Sequence, residues 1–326
     1  MRGVRVPPCG KASIRPLPLT LIFFFGKIKF LNTLKVFFQI IWARLLKASV
    51  VITTYNNPDY LRRVLEGYLN QTRLPDEILI ADDGSTKDTF EMLKVMEKDS
   101  PVRLVHVWHE DRGFRAASIR NKAIAASIGE YIILSDGDTV PSRRLVEDHL
   151  RYSEEGRFIQ GHRVLLGPEA SKGFRSRDIT LPALFRLMVT GGAGNLANAL
   201  RLPVPVARVS VKRSGIRSCN MSFFRKDILG VNGFNEDFEG WGREDSELVE
   251  RFYKYGLKRK DLKFRGCCYH LYHKEFDRAS LDENTRLLEK TAAQSSYYCA
   301  NGIDKYLAPS GEKGGAGRIN SSSAEP

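Results

Sequence analysis

Several features that would place the 326-residue chain at once are scarce or missing. Beyond residue 47 it has no long apolar run, and a spanning helix needs about 20 consecutive apolar residues, which argues against a multi-span processive synthase. The apolar stretch 17–25 is cut short by Lys27 and Lys29, and no small-residue cleavage site follows it, as a signal peptide would require. Cysteine is sparse: Cys9, Cys219, Cys267, Cys268 and Cys299 are odd in number and show no Cys-x-x-Cys spacing. That argues against a disulfide framework or a zinc site and fits a reducing compartment. Acidic residues are outnumbered, 38 against 51 basic, for a net charge of +13. Such a balance calls for an anionic partner: nucleic acid, a phosphorylated substrate or an acidic membrane surface. No internal repeat is present. Gly191-Gly192-Ala193-Gly194 reads as a flexible turn and not a phosphate loop, because no strand leads into it and no Lys-Ser/Thr follows.

What is present divides the chain into four parts. Residues 1–47 form a basic, apolar extension. Within 29–47, Phe30, Leu34, Phe37, Phe38, Ile41, Trp42 and Leu45 make a broad apolar face with cationic edges at Lys29, Lys35, Arg44 and Lys47. That pattern fits a helix lying in a membrane interface, where each Lys or Arg near an anionic leaflet contributes about 1 kcal/mol; a helix packed on the protein's own core is the alternative. In 48–145, short apolar strands at 49–56, 77–81, 102–107 and 131–134 alternate with helices after Pro58, at 86–98 with Phe90, Leu93 and Met96 inward, and at 115–128. Such alternation means βαβ units and a parallel sheet. In 146–300, segment 167–217 is rich in Gly, Pro and Arg and reads as a loop or small insertion near the site. Order returns with a strand at 219–224, a helix from Asp245 with Leu248, Val249 and Phe252 inward, and a closing helix at 282–299. Residues 301–326 read as a tail, Gly/Ser-rich from 308.

The chemistry collects at strand ends, where open α/β sheets bind ligands. Thr53-Thr54-Tyr55-Asn56, Asp82-Asp83-Gly84-Ser85 and Asp136-Gly137-Asp138 all fall there. Asp136 and Asp138 are two apart, so an extended chain puts them on one face; a pair of carboxylates can hold a divalent cation, and Gly137 between them leaves space for a ligand to approach the backbone. His270 and His273 could supply imidazole to such a cation, and oxygen-rich ligation with one imidazole favours Mn²⁺ over Mg²⁺. Glu244 and Asp245 open a helix, either as capping carboxylates or as a general base for a hydroxyl. Trp241 offers a sugar-stacking face, and Gly240 beside it gives a ligand room.

Taken in order, Val50-Val51-Ile52-Thr53-Thr54-Tyr55-Asn56, Asp82-Asp83-Gly84-Ser85, Arg120-Asn121, Asp136-Gly137-Asp138 and Gly240-Trp241-Gly242-Arg243-Glu244-Asp245 resemble a family 2 glycosyltransferase. The last segment is similar to the galactosyltransferase-like half of chondroitin-polymerase-type enzymes. The resemblance implies a GT-A fold, with a Rossmann-like, mostly parallel α/β sheet flanked by helices and a smaller acceptor-side C-terminal part. It implies an inverting transfer from a UDP-sugar to a glycan or lipid-linked glycan of the cell surface, with Mn²⁺ or Mg²⁺ as cofactor. By that resemblance Thr53, Thr54, Tyr55, Asn56, Asp82 and Asp83 belong to the nucleotide side, with Asp82 on the uracil edge. Arg120 falls near the nucleotide or diphosphate and Asp136 near the ribose and donor sugar. Asp138 with His270 or His273 takes the metal, Asp245 is the base, and Glu244, Trp241 and Gly240 line the acceptor side. The expected location is the cytoplasmic face of the cell membrane, peripherally attached. Two other classes fit less well. A nucleic-acid-binding protein would show a recognised binding fold around its basic patches, and a nucleotidyltransferase would carry a Gly-rich phosphate loop by its first strand.

Overall fold

The apolar runs of the N-terminal half become the centre of a large sheet. The computed structural model describes residues 45–202, 206–274 and 277–307, all within one compact unit, Ala43–Pro326. The expected interfacial helix at 29–47 lies outside these residues except for its last three, and the expected tail 301–326 lies outside them from 308; its residues 301–307 are instead ordered, with a 3-10 turn at Ile303–Tyr306 and Ile303 buried in the core. The strands are β1 (Ala48–Thr54), β2 (Glu77–Asp82), β3 (Arg103–Trp108), β4 (Tyr131–Asp136), β5 (Thr139–Pro141), β6 (Arg157–Gln160), β7 (Arg163–Leu166), β8 (Ala193–Gly194), β9 (Val206–Ser210), β10 (Asn220–Phe224), β11 (Lys258–Lys263) and β12 (Cys268–His270). The helices are α1 (Pro58–Leu69), α2 (Lys87–Lys98), α3 (Ala116–Ala126), α4 (Leu145–Tyr152), α5 (Pro168–Ser171), α6 (Leu181–Val189), α7 (Arg225–Gly230), α8 (Glu244–Tyr255) and α9 (Leu281–Ala293).

Eight strands form the main sheet in the order β3-β2-β1-β4-β10-β6-β11-β9. The β3-β2-β1-β4 half is parallel throughout, whereas β10 runs antiparallel to both its neighbours. Because successive side chains face opposite sides, each central strand feeds two cores. Val50 and Ile52 join Ile78, Ile80 and Ile133 beneath Leu61, Leu65 and Tyr68 of α1 and Leu145 of α4. Val51 joins Leu79, Ala81, Ile132 and Leu134 beneath Ile119 and Ile124 of α3 and Leu248 and Phe252 of α8. Strands buried on both faces read as continuous apolar runs, which is why β1, β2 and β4 were visible in the sequence. The entry to α1 is equally legible: Asn57 caps it by accepting from the Tyr60 N–H at 3.1 Å, and Pro58 follows at the first helical position.

Two expectations are corrected here. Phe90 is not inward; it is exposed beside His106, with ring centroids 6.0 Å apart, because the buried stripe of α2 is Thr89, Met92 and Leu93. Nor is 167–217 a loop: it holds α5, α6, β8, β9 and two short 3-10 turns. Ala193 and Gly194 of the supposed flexible turn pair with Leu166 and Leu165 of β7.

That pairing belongs to a second sheet, β5-β12-β7-β8, which strands of two to four residues gave no periodicity to reveal. The chain crosses from the main sheet to this one at Gly137-Asp138, between β4 and β5, and again at Gly161-His162, between β6 and β7. Among the described residues no helix is long and apolar enough to cross a membrane.

Candidate active site

The carboxyl end of β4 meets the second sheet at Asp136-Gly137-Asp138. Gly137 continues the β1–β4 register by donating its N–H to the Thr53 carbonyl at 2.8 Å. A Cβ on Gly137 would stand 2.9 Å from Thr54 Oγ1. The packing of Thr54 against the turn therefore disfavours any side chain at position 137.

The antiparallel pairing of β12 with β5 sets His270 opposite Thr139, and the Leu271 N–H donates to the Asp138 carbonyl at 2.9 Å. His270 Nε2 consequently lies 3.6 Å, and His273 Nε2 3.0 Å, from Asp138 Oδ2. One ligand atom from each of these residues falls within 4.8 Å of the others. The other carboxylate oxygen, Asp138 Oδ1, is buried and has no hydrogen-bond partner, a costly state for a charged group. Burial pushes the Asp138 carboxyl up, but the hydrogen bond from His273 and the nearby His270 hold it below its ordinary range. His273 Nδ1 lies 2.7 Å from the Lys274 carbonyl, an outer contact of the kind that orients a metal-bound imidazole. A carboxylate with an orphaned oxygen between two imidazoles fits a divalent cation such as Mn²⁺.

Arg120, buried on α3, ties this corner to the start of α8. Its Nε donates to Thr53 Oγ1 at 2.9 Å, its Nη1 to Glu244 Oε1 at 2.9 Å and its Nη2 to Asp136 Oδ1 at 3.3 Å. Burial opposes the charge, yet Glu244 and Asp136 hold its pKa above the ordinary value. The burial of Asp136 pushes that carboxyl up to about 6, against the pull of Arg120.

Asp245 opens α8 one residue after Glu244. The cap is neither acid: Arg243 occupies it, in the left-handed region at φ 78°, without a side-chain capping bond. Asp245 is contacted by its neighbour Ser246, through the hydroxyl Oγ at 3.2 Å and the backbone N–H. Burial pushes it up to about 7, Glu244 pushes the same way, and Arg120 only partly offsets them. A carboxylate poised near neutrality can accept a proton from a hydroxyl.

The remaining expected residues are placed as follows. Asp82 is fully buried, accepting from the Ser85 N–H at 2.8 Å and facing His106 Nε2 at 2.8 Å. Asp83 has both oxygens engaged within the protein, with His109 Nε2 at 2.6 Å and the Arg115 N–H at 2.8 Å. Asn56 (φ 46°) bridges to the β2 loop, its N–H donating to Ser85 Oγ and its Oδ1 accepting from the Thr86 N–H, both at 2.8 Å. Tyr55 is exposed, and its hydroxyl donates to Asp111 Oδ2 at 2.8 Å. Gly240 does not open room for a ligand: at φ 73° its missing side chain leaves a space that Ser280 fills, with Oγ 2.1 Å from where a Cβ would be. Trp241 carries the Arg278 guanidinium 5.3 Å above its ring centroid. Sequence reasoning missed Arg163, whose charge acts on Asp136, Asp138 and His270. It sits on β7, in parallel register with Cys268, and no motif marks it.

Comparisons with known proteins come from three directions. The sequence model of glycosyl transferase family 2 matches residues 49–229, and one described as the N-terminal domain of galactosyltransferase matches 200–274. Validoxylamine A glucosyltransferase of Streptomyces hygroscopicus subsp. limoneus is 29% identical over 226 residues, covering 64% of this chain and 48% of that protein. Hyaluronan synthase of Pasteurella multocida is 26% identical over 223 residues, covering 64% and 23%. Chondroitin synthase of Escherichia coli is 25% identical over 228 residues, covering 64% and 32%. The chain thus spans a quarter to a half of the length of these relatives. Among solved structures, S. aureus TarS 1-349 in complex with UDP superposes with a TM-score of 0.54 at 15% identity, over 76% of this chain and 65% of that one, so the two share a fold.

Proposed function

This chain belongs to glycosyl transferase family 2, and from that premise we propose that it transfers a sugar, with inversion, from a UDP-sugar to a hydroxyl of a glycan or lipid-linked glycan in cell-surface polysaccharide synthesis. The observation that carries the reading is the pairing of a cation-ready cluster, Asp138 with His270 and His273, with a carboxylate poised near neutrality, Asp245. Arg120 bonds to Asp136 and to Glu244 and so spans the two. The UDP in the complex of TarS, a fold relative, supports the donor class.

In this reading Asp245 takes the proton of the acceptor hydroxyl as its oxygen attacks the anomeric carbon and the nucleoside diphosphate departs from the opposite side. A divalent cation held by Asp138, His270 and His273 would supply charge stabilisation at the leaving diphosphate. Glu244, bonded to Arg120, keeps the first turn of α8 fixed against β1 and β4. Asp82 and the segment 53–56 receive the nucleotide, and Trp241 lines the acceptor side. The site of action is the inner face of the cell membrane, reached through segment 29–47.

A thermal-shift panel of nucleotides with and without Mn²⁺ tests this. A ligand at a hundredfold excess over Kd stabilises the fold by about 2.7 kcal/mol. UDP is expected to raise the melting temperature only with the cation, and the true UDP-sugar to raise it further; folded protein that answers to no nucleotide would overturn the reading. The pH profile is a second check. A base works unprotonated, so kcat/KM is expected to rise with pH through about 7 and level off above it. Glu244→Gln removes an upward push on Asp245, so this acid limb should move to lower pH.

A further inference from the structure

The insertion 167–217 carries nine basic residues against two acidic ones, Glu169 and Asp178, and its helix α6 has apolar side chains on both faces. Leu184 and Leu187 pack inward on the main core. On the outer side Leu181 is 80% exposed, Phe185 63%, Met188 60% and Val189 67%. Leu200 and Leu202, which follow β8, are exposed as well. Soluble surfaces rarely gather large apolar side chains in this way without a partner. The helix is itself well formed, with Thr180 accepting from the Ala183 N–H and Pro182 in its first turn, so the exposure is not that of a frayed end.

We propose that the outer face of α6 docks on an anionic phospholipid bilayer. Charge decides the occupant. Arg177 and Arg186 are exposed, with no carboxylate partner among the described residues, while Lys172, Arg175 and Arg201 are already paired with Glu169, Glu66 and Asp148. A short apolar face with unpaired cations at its edge matches an acidic headgroup layer over acyl chains. A second copy of this chain, at net +13, would bring like charges together. The docking face is also mechanically tied to the candidate cation cluster. The Tyr272 N–H, beside His273, donates to Ser171 Oγ of α5 at 2.7 Å, and β8 of the same insertion completes the sheet that holds His270. A bilayer seated on α6 would therefore hold the cleft at a fixed height above the lipid, where a lipid-linked acceptor presents its sugar. The contact does not depend on the sugar chemistry.

The test uses the full chain with Cys9→Ser and Met188→Cys, labelled at position 188 with an environment-sensitive fluorophore; Cys219, Cys267, Cys268 and Cys299 are buried. Vesicles of phosphatidylcholine with phosphatidylglycerol should shift the emission to the blue, spin-labelled lipid should quench it, and salt should weaken both effects. Vesicles of phosphatidylcholine alone should do neither. In the otherwise native chain, Phe185→Asp with Met188→Asp should weaken vesicle binding by more than about tenfold while leaving the melting temperature and the UDP-dependent shift unchanged. Protein that floats with vesicles while its label stays in water would overturn the proposal and leave attachment to the N-terminal segment. Protein that does not float overturns both attachments. A shift that grows with protein concentration in the absence of vesicles assigns the face to a second copy and also overturns it. The nucleotide melting shift, read on the same samples, reports separately on the transferase reading.

Discussion

Asp245→Asn is expected to lower kcat by roughly 10²–10⁴-fold, the usual contribution of a positioned general base, with nucleotide binding nearly unchanged. The amide keeps the size of the carboxylate and can still receive the Ser246 hydroxyl at its oxygen, but it cannot take a proton. The contrast with Glu244→Gln separates the two acids. Glu244 is bound to the buried Arg120, so its loss disturbs position as well as charge and should move both kcat and KM. In Asp245→Asn the substrates still bind and wait, so KM should hold while kcat falls. Steady-state kinetics with UDP release as the readout, beside a UDP melting shift, decides the matter. Near-normal transfer by Asp245→Asn would move the base elsewhere.

The second large effect is expected at Asp138. Its Oδ2 lies within reach of both imidazoles and its Oδ1 is buried without a partner. Asp138→Ala removes the group around which the cluster is built and should weaken Mn²⁺-dependent UDP binding at least about a hundredfold, since even outer contacts of a metal site cost tenfold to a hundredfold. The fold should survive, because the neighbouring backbone bonds use the Asp138 carbonyl and the Gly137 N–H. His270→Ala and His273→Ala complete the experiment: loss in both assigns three protein ligands, and loss in one assigns two. If Asp138→Ala kept its full Mn²⁺-dependent shift with UDP, the cluster would be an internal ion pair and the cation would sit elsewhere.

The sequence was informative where one strand is buried on both sides or one helix carries a regular stripe. Runs such as Val50-Val51-Ile52 and Tyr131-Ile132-Ile133-Leu134 have one stable use in a protein of this size, as inner strands of a covered sheet, and Pro58 marks where a helix begins. The order of polar strand ends followed from the same reading. It failed where local pattern is ambiguous or pairing is supplied from far away. Phe90 was misjudged because α2 admits two neighbouring stripes, and only the packed sheet selects Met92 and Leu93. Gly240 looked like an opening for a ligand, yet a side chain distant in sequence, Ser280, occupies that space.

By itself, then, the chain's composition and order determined an α/β architecture, a family, and a set of acidic strand ends facing one edge. Tertiary structure alone decided which of those groups meet. Asp138 and His270 are separated by more than a hundred residues and are joined by the β5–β12 register, and Arg163 enters the neighbourhood through β7, a four-residue strand that no periodicity announces. The surroundings decided the protonation of Asp245 as well: burial and the neighbouring Glu244 push its carboxyl up to about 7, against the pull of Arg120. A carboxylate's chemistry is set by what surrounds it, and that is assembled only when the chain folds.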